Sequence, residues 1–486
     1  MNPKQDLKLL ATMQLLIALL MGIPTILATY YHETIALHSF VVSLCIMLVC
    51  SAVTLLFTWH TRSDNMSIKD GLFFVTFTWI ISTAFASLPL YLSGSYPSYA
   101  DAYFEIMSGF TTTGATVLSE IEDHPLSILF WRSETNWLGG MGIVVLFVAF
   151  LPTLGVRGTM LVGAESVGPT KDKLTPKITH TAAILWGIYI VFSLAEALLL
   201  LFGGLSPYEA VTVTFSTMSA AGFCVKNNSI GFFQSCYVDI VVTFFMLASG
   251  ANFSLYYRLL QGKGKQVLRD GELRWYIGIF SIAAFLSAIC LSASHTYGNF
   301  FTSLRYAAFQ TASILTTTGF STANYLHWPQ FSQMLLFLLF FVGGCAGSAG
   351  GGIKVIRVRT MMALGKNTLI KRLHPNAVLQ TRIGDQVLSP EITLGIADFV
   401  GVYFATGLMG TLLVSLSGVD FATSISSSFL CLGNIGIGFG DVGPTGNFGA
   451  FPAWCKWIFS FLMMAGRLEL FTVYALFTKE FWKKQA

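Results

Sequence analysis

The chain has 486 residues, of which 54% are hydrophobic and only 11% charged, against about 25% charged in an ordinary soluble domain. A mean hydropathy of +0.67 with a net charge of +4 describes an integral membrane protein, so a soluble enzyme is excluded and no nucleic-acid partner is expected. The 8 cysteines show no CxxC and no ligand spacing, and read as small apolar packing residues.

Membrane thickness demands about twenty apolar residues per helix, and the sequence supplies roughly ten such stretches. Two come first, at about residues 9–29 and 37–59. Lys4 and Lys8 precede the first as they would a cleaved signal, but its length and the span directly after it favour a retained helix. After the polar link 60–70, one order recurs: a full span, a short half-apolar segment, a Gly, another full span. The first copy has 72–92, 102–113, Gly114 and 128–151. The second has 182–202, 207–221, Gly222 and 238–259. The third has 275–291, 304–318, Gly319 and 334–361, and the fourth has 392–416, 421–435, Gly436 and 454–477. The middle segments are too short to cross. They are expected to be re-entrant pore helices, tolerable at membrane depth only where the following loop is buried or lines water.

The four glycines lie 108, 97 and 117 residues apart, as copies of one unit would. Twelve residues before each stands Ala102, Ala210, Ala307 or Ser424; six before stands Ser108, Ser216, Ser313 or, as the exception, Leu430. The expected fold is therefore an all-α integral membrane protein with two N-terminal transmembrane helices and four helix, pore-helix, helix repeats around a pseudo-fourfold pore. The boundaries are 1–60, 61–156, 157–262, 263–362 and 363–486.

Charge sets the orientation. Of 28 basic residues, only Arg132, Lys226, Arg305 and Lys456 fall on one side and Arg467 within a span, leaving 23 on the termini and inter-repeat links. That bias puts both termini in the cytoplasm and opens all four Gly loops outward. Asp101, Glu105, Glu120, Glu122, Asp123, Glu209 and Asp441 would then give an acidic mouth that concentrates cations.

A bare alkali cation must exchange its water shell for oxygens, and rings of backbone carbonyls supply them without a trapping charge. Gly permits the backbone angles such a loop needs. The Thr residues 111–113 and 316–318 can add hydroxyls, and the pore-helix C-termini add partial negative charge.

Four stretches carry a resemblance: Thr111-Thr112-Thr113-Gly114-Ala115-Thr116, Trp137-Leu138-Gly139-Gly140-Met141-Gly142, the segment 343–357, and Gly466-Arg467-Leu468-Glu469. With the fourfold plan, they resemble the Trk/Ktr/HKT superfamily of potassium transporters, and the two extra N-terminal spans resemble its Trk branch. The resemblance covers essentially the whole chain. It implies a selectivity filter that binds K+ at Thr112, Thr113 and Gly114; Ala220, Ala221 and Gly222; Thr317, Thr318 and Gly319; and Asn434, Ile435 and Gly436. Sodium-preferring plant relatives carry Ser at the first filter position; Gly114 implies potassium. The fourth loop departs most, with Asn434 and Ile435 where loops one and three have Thr.

Six glycines in the ten residues 343–352 should unwind the last span of repeat three, each costing about 1 kcal/mol in a helix. No such break is expected in the other repeats. The resemblance implies an intramembrane gate here, at Gly347, Ser348, Ala349, Gly350, Gly351 and Gly352; Lys354 follows the Gly-rich stretch directly, as a second barrier or a cytoplasmic-end anchor. Arg467 in an apolar span needs water or a partner. It is expected to face the pore below the filter as an electrostatic barrier, or else to pair with a carboxylate of another helix.

The resemblance also implies a TrkA-like ring of nucleotide-binding regulatory subunits beneath the pore, a homodimeric membrane part and a bacterial inner-membrane location. The basic links suit such a dock, or anionic membrane lipid. No covalently bound cofactor is expected, only K+ as the transported ion. The GxGxxG match at 438–443 lies in an outward loop and lacks the strand and helix of a nucleotide site. The alternative to a channel is a symporter coupled to protons or sodium, for which Glu196, Asp398 and Asp239 are the candidate intramembrane carboxylates.

Overall fold

A computed structural model describes residues 3–61, 67–142, 178–377, 379–383 and 386–483. The N-terminal spans are α1 (Pro3–Tyr30) and α2 (Thr34–Phe57). Repeat one contains α3 (Ile68–Ala86), the pore helix α4 (Tyr99–Phe110) and α5 (Leu126–Gly140). Repeat two contains α6 (Ile178–Phe202), the pore helix α7 (Pro207–Met218), α8 (Cys236–Ser249) and α9 (Phe253–Leu260). Repeat three contains α10 (Gly271–Ala293), the pore helix α11 (Phe300–Leu315), α12 (Gln330–Leu339) and α13 (Val355–Leu373). Repeat four contains α14 (Pro390–Ser415), the pore helix α15 (Phe421–Gly433) and α16 (Ala453–Arg467). The fold is helical; among the described residues the exception is a two-residue ribbon pairing Arg382–Ile383 with Gln386–Val387. The inner end of the 128–151 span and the basic residues Arg157, Lys171, Lys173 and Lys177 lie outside the described residues.

Each pore helix starts on a side-chain cap. Ser98 accepts from Asp101 N, Ser206 from Glu209 N, Asn299 from Thr302 N, and Asp420 from Ala422 N and Thr423 N. Such caps satisfy amides that would otherwise be unpaired at membrane depth. The pore helices have 12, 12, 16 and 13 residues. At about 1.5 Å per residue none crosses a hydrocarbon core about 30 Å thick.

Two spans expected to be continuous are broken. α8 and α9 meet at 93°, and α16 meets Phe471–Phe477 at 111°. In repeat two, Gly250 ends α8 and the Asn252 side chain caps a new helix by accepting from Ser254 N. In repeat four, Glu469 and Leu470 adopt φ of 58° and 54°, and Leu470 N returns to Ala465 O at 2.8 Å, closing one helix before the next begins. A broken last span is therefore not confined to repeat three.

Candidate functional site

All four pore helices end in the same hydrogen-bonded turn. Thr112, Ala220, Thr317 and Asn434, each two residues before its Gly, take left-handed φ of 54°, 56°, 60° and 53°. The residue after each returns its N–H to the carbonyl five back: Thr113 to Ser108, Ala221 to Ser216, Thr318 to Ser313 and Ile435 to Leu430, at 2.8, 2.9, 2.8 and 3.0 Å. This is the helix-ending motif normally built with Gly at the left-handed position. A side chain there costs about 1–2 kcal/mol, a strain borne at Thr112, Ala220 and Thr317, whereas Asn434 is a residue that tolerates this conformation. It was invisible in the sequence because none of the four residues is Gly.

The chain then turns through the four glycines, which close into a ring. A Cβ placed on Gly114 would lie 2.9 Å from Gly222 Cα; one on Gly222 would lie 2.6 Å from Thr318 O. A Cβ on Gly319 would lie 3.3 Å from Gly436 Cα and nearer still to Ile435 O; one on Gly436 would lie 3.3 Å from Gly114 C and nearer still to Thr113 O. Each loop thus abuts the next in the order one, two, three, four, one. Gly114, Gly319 and Gly436 also have positive φ of 79°, 82° and 91°. At Gly222 the requirement is space alone.

One vestibule is lined by all four glycines together with Arg132 and Lys226. None of the seven carboxylates of the expected acidic mouth lines it directly; Glu120, Glu122, Asp123 and Asp441 are exposed, whereas Asp101 and Glu105 are buried in ion pairs. Glu105 is buried against Arg132 at 2.8 Å, Asp101 is buried against Lys456, and Lys226 lies 3.4 Å from Glu209 and 3.8 Å from Glu122. Charge counting treated as solvated several acids that the fold spends on cross-helix pairs.

The hydroxyls around the ring are structural on two sides. Thr111 Oγ1 donates to Met107 O at 2.6 Å and meets Thr113 Oγ1 at 2.9 Å; Thr316 does the same with Ala312 O at 2.7 Å and Thr318 Oγ1 at 2.7 Å. In loop four, Asn434 Nδ2 donates to Thr113 Oγ1 at 3.0 Å, so an amide links loops where a hydroxyl is missing. Thr112 Oγ1 is buried and unpartnered.

Directly beneath the ring runs the segment 340–354, which joins α12 to α13 without helix. Gly351 N donates to Thr317 Oγ1 at 2.7 Å, and a Cβ on Gly350 would lie 2.7 Å from Thr316 O. The segment is also stitched to the break in repeat two: Cys345 N to Gly250 O at 2.8 Å, Ala349 N to Ser249 O at 3.1 Å, and Phe253 N to Gly347 O at 3.1 Å. Glu272 Oε1, on α10, accepts from Ala346 N at 2.8 Å and Ile356 N at 3.2 Å. Sequence reasoning missed Glu272, although an acidic residue in the first turn of a membrane span was visible.

Arg467 reaches into this junction. Its Nη1 donates to Ala349 O at 2.7 Å, and its Nη2 donates to Gly139 O at 2.6 Å and Gly140 O at 2.9 Å. Gly139 O and Gly140 O end α5, whose C-terminal partial negative charge suits a guanidinium, while Ala349 O belongs to the unwound segment. Glu469 instead binds Arg357 at 2.6 Å. Lys354 is fully buried and folds back on the loop, its Nζ donating to Gly350 O and lying 3.4 Å from Ser348 Oγ. A small cavity lined by Gly350, Gly351, Gly352, Gly466, Arg467 and Glu469 lies here. The marker stretch at Trp137 is explained by packing: Trp137 sits among Trp186, Tyr189 and Phe215 at 5.5, 5.5 and 5.2 Å.

Comparison with known proteins matches the chain to TrkH, a family of cation transport proteins, over residues 38–484. It is 38% identical over 441 residues to the Trk system potassium uptake protein TrkH of Salmonella typhimurium, covering 90% of this chain and 91% of that protein. It is 37% identical over 487 residues to the protein of the same name from Halomonas elongata, covering 100% of both. The fold is similar to the crystal structure of the potassium transporter TrkH from Vibrio parahaemolyticus, with a TM-score of 0.89 and 32% identity over 99% of this chain and 100% of that one.

Proposed function

This chain belongs to the TrkH family of cation transport proteins, and on that premise we propose that it carries potassium inward across a bacterial inner membrane as the membrane subunit of a Trk system. The observation that carries the reading is the closed ring of Gly114, Gly222, Gly319 and Gly436 at the floor of one vestibule. In this reading the backbone carbonyls of the four loops replace the hydration shell of K+. The left-handed turn before each Gly aims a pore-helix C-terminus, with its partial negative charge, at the ring. Thr112, Thr113, Thr317 and Thr318 hold loops one and three, and Ala220, Ala221, Asn434 and Ile435 occupy the matching places in the others.

The segment from Gly347 to Gly352 serves as the gate, with Arg467 and Lys354 holding it beneath the filter. Its small side chains suit a part that must move aside. A TrkA-like nucleotide-binding partner docked on the basic cytoplasmic links would drive that movement, in a homodimeric membrane part with both termini cytoplasmic. The polybasic links would also face anionic lipid.

A proton- or sodium-coupled mechanism is supported by two buried carboxylates, the expected Glu196 in α6 and also Glu134 in α5. Asp239 is neutralised by Arg305 at 2.7 Å, and Asp398 is exposed. Reversal potentials of the purified full-length protein in liposomes test the proposal. A pore follows the potassium gradient alone, whereas coupling shifts the reversal when pH or sodium changes. Absence of potassium selectivity in the parent protein would refute the filter.

A further inference from the structure

Behind the ring, the residue nine before each filter Gly is Glu105, Val213, Gln310 or Ser427. In repeat one, Glu105 Oε1 accepts from Thr116 Oγ1 at 2.8 Å and Oε2 from Val117 N at 2.9 Å. In repeat three, Gln310 Nε2 donates to Ser321 Oγ at 3.1 Å and Ala323 O at 3.2 Å. Thr116 and Ser321 each lie two residues past their Gly, so the two braces occupy matching places. Val213 in repeat two is apolar, and Ser427 in repeat four spends its hydroxyl on Ser424 O within its own helix. Because the loops abut in the order one to four, the braced loops face each other across the ring. At this position the support is twofold, while loop four is held from the neighbouring Ser426, whose Oγ accepts from Phe439 N at 2.7 Å.

Only the first brace is charged. Arg132 donates from Nε to Glu105 Oε1 at 2.8 Å and from Nη2 to Thr116 Oγ1 at 3.3 Å, and its guanidinium lies 4.2 Å from the centre of the Phe223 ring. Phe223 directly follows Gly222. One guanidinium therefore spans the outer edges of loops one and two. Arg132 also lines the vestibule, where its charge would repel a cation if Glu105 did not neutralise it. Both side chains are almost fully buried, and removing one partner of such a pair leaves the other charge uncompensated.

We propose that Glu105 and Arg132 are a positioning pair that sets the spacing of loops one and two at the outer edge of the ring, and that the residue nine before each filter glycine determines how strongly potassium is preferred over sodium. The carbonyl number and spacing that discriminate ions are held by the peptide from Gly114 to Val117, and two of its polar groups, Thr116 Oγ1 and Val117 N, end on this pair through three hydrogen bonds. The inference rests on the reading of the glycine ring as a potassium filter.

Two variants of the full-length protein test it in liposomes, by reversal potential in potassium and sodium gradients and by maximal potassium flux. Arg132→Lys keeps the charge and loses the fork and the flat face over Phe223. Thr116→Val removes the shared hydroxyl and touches neither charge. Expected is a fall in potassium preference of about tenfold for Arg132→Lys and about threefold for Thr116→Val, the scale of one charge-assisted and one neutral hydrogen bond, with maximal potassium flux little changed. Should Arg132→Lys fail to fold, Thr116→Val alone decides. A well-folded variant whose flux falls while its preference stays at the parent value overturns the proposal and leaves the pair a structural brace. A parent protein without potassium preference overturns the filter reading, and this inference with it.

Discussion

Arg467→Lys separates two ways in which a buried cation can oppose ion flow. Arg467 Nη2 rests on Gly139 O and Gly140 O, which end α5 and do not belong to the loop beneath the filter. Its Nη1 bond to Ala349 O at 2.7 Å, by contrast, ends on that loop and must break when the loop moves. A hydrogen bond from a charged donor contributes about 1.5–3 kcal/mol, and about 1.4 kcal/mol is tenfold in an equilibrium. Losing it should raise the resting open fraction about tenfold to a hundredfold. Lysine keeps the positive charge, but a compact ammonium seated on the α5 carbonyls has no second arm for Ala349. The assay is potassium influx into liposomes holding the full-length protein without a partner, with Arg467→Gln alongside. Both variants should leak, Lys by the factor just given. If Arg467→Lys stays as tight as the parent while Arg467→Gln leaks, the residue is a charge barrier and the latch argument is refuted.

Thr317→Val keeps the shape of the side chain and strands Gly351 N, which now bonds its hydroxyl at 2.7 Å; the lost acceptor costs about 1–3 kcal/mol, and basal flux should rise about fivefold to a hundredfold. Unchanged basal flux would mean that this bond does not hold the loop closed. Gly114→Ser places a Cβ against Gly222 N at a φ of 79°; the backbone term alone is about 1–2 kcal/mol, so loops one and two must part and potassium preference should fall, as reversal potentials would reveal. Parent-like selectivity would remove Gly114 from the filter. Lys226→Glu replaces a cation on the vestibule wall and should lower the potassium concentration for half-maximal flux at low salt. That gain should fade above about 0.15 M, where charges are screened beyond about 8 Å; an effect independent of ionic strength would point away from electrostatic steering.

The repeat plan was legible because its signals are local. A pore helix is an apolar segment too short to cross, and the expected start of α15 at 421 and of α7 at 207 coincide with the observed ones. The breaks at 250 and 468 were not legible. A single Gly in an apolar run is compatible with an uninterrupted helix, and in repeat four the chain turns at Glu469 and Leu470, which carry no turn signal. The ion pairs were hidden for a different reason. Asp101 and Lys456 stand 355 residues apart and Glu105 and Arg132 stand 27 apart, so counting charges by side of the membrane could not show that they neutralise each other. Arg467 was legible as an oddity that needed a partner; that its partners are carbonyls follows only once three helix ends converge.

That convergence bears on how the loop could open. It is fastened from every other repeat: to Ser249 and Gly250 in repeat two, to Arg467 in repeat four, and through Arg467 to the end of α5 in repeat one. Within repeat three it hangs from Thr317 above and Glu272 behind. At about 1 kcal/mol net per hydrogen bond, releasing the bonds to Ser249, Gly250, Thr317, Glu272 and Arg467 together costs about 5 kcal/mol or more. Shifting a two-state element from about 1:99 to 99:1 takes a bias of about 5.5 kcal/mol, so a loop so fastened stays shut unless something outside it supplies free energy of that order. The route by which such a bias could arrive is short. Glu272 holds both Ala346 and Ile356 and sits one residue past Gly271, where α10 leaves the basic link 263–270. A displacement of that link moves the carboxylate, and the carboxylate holds Ala346 within the unwound segment and Ile356 just past it. Repeat two shares the load, because Phe253 N is bonded to Gly347 O, so α9 cannot swing without pulling the same loop. In the gating proposed above, three glycine-rich or broken helix ends would act as one joint, so a glycine cluster in repeat three alone would understate the moving part.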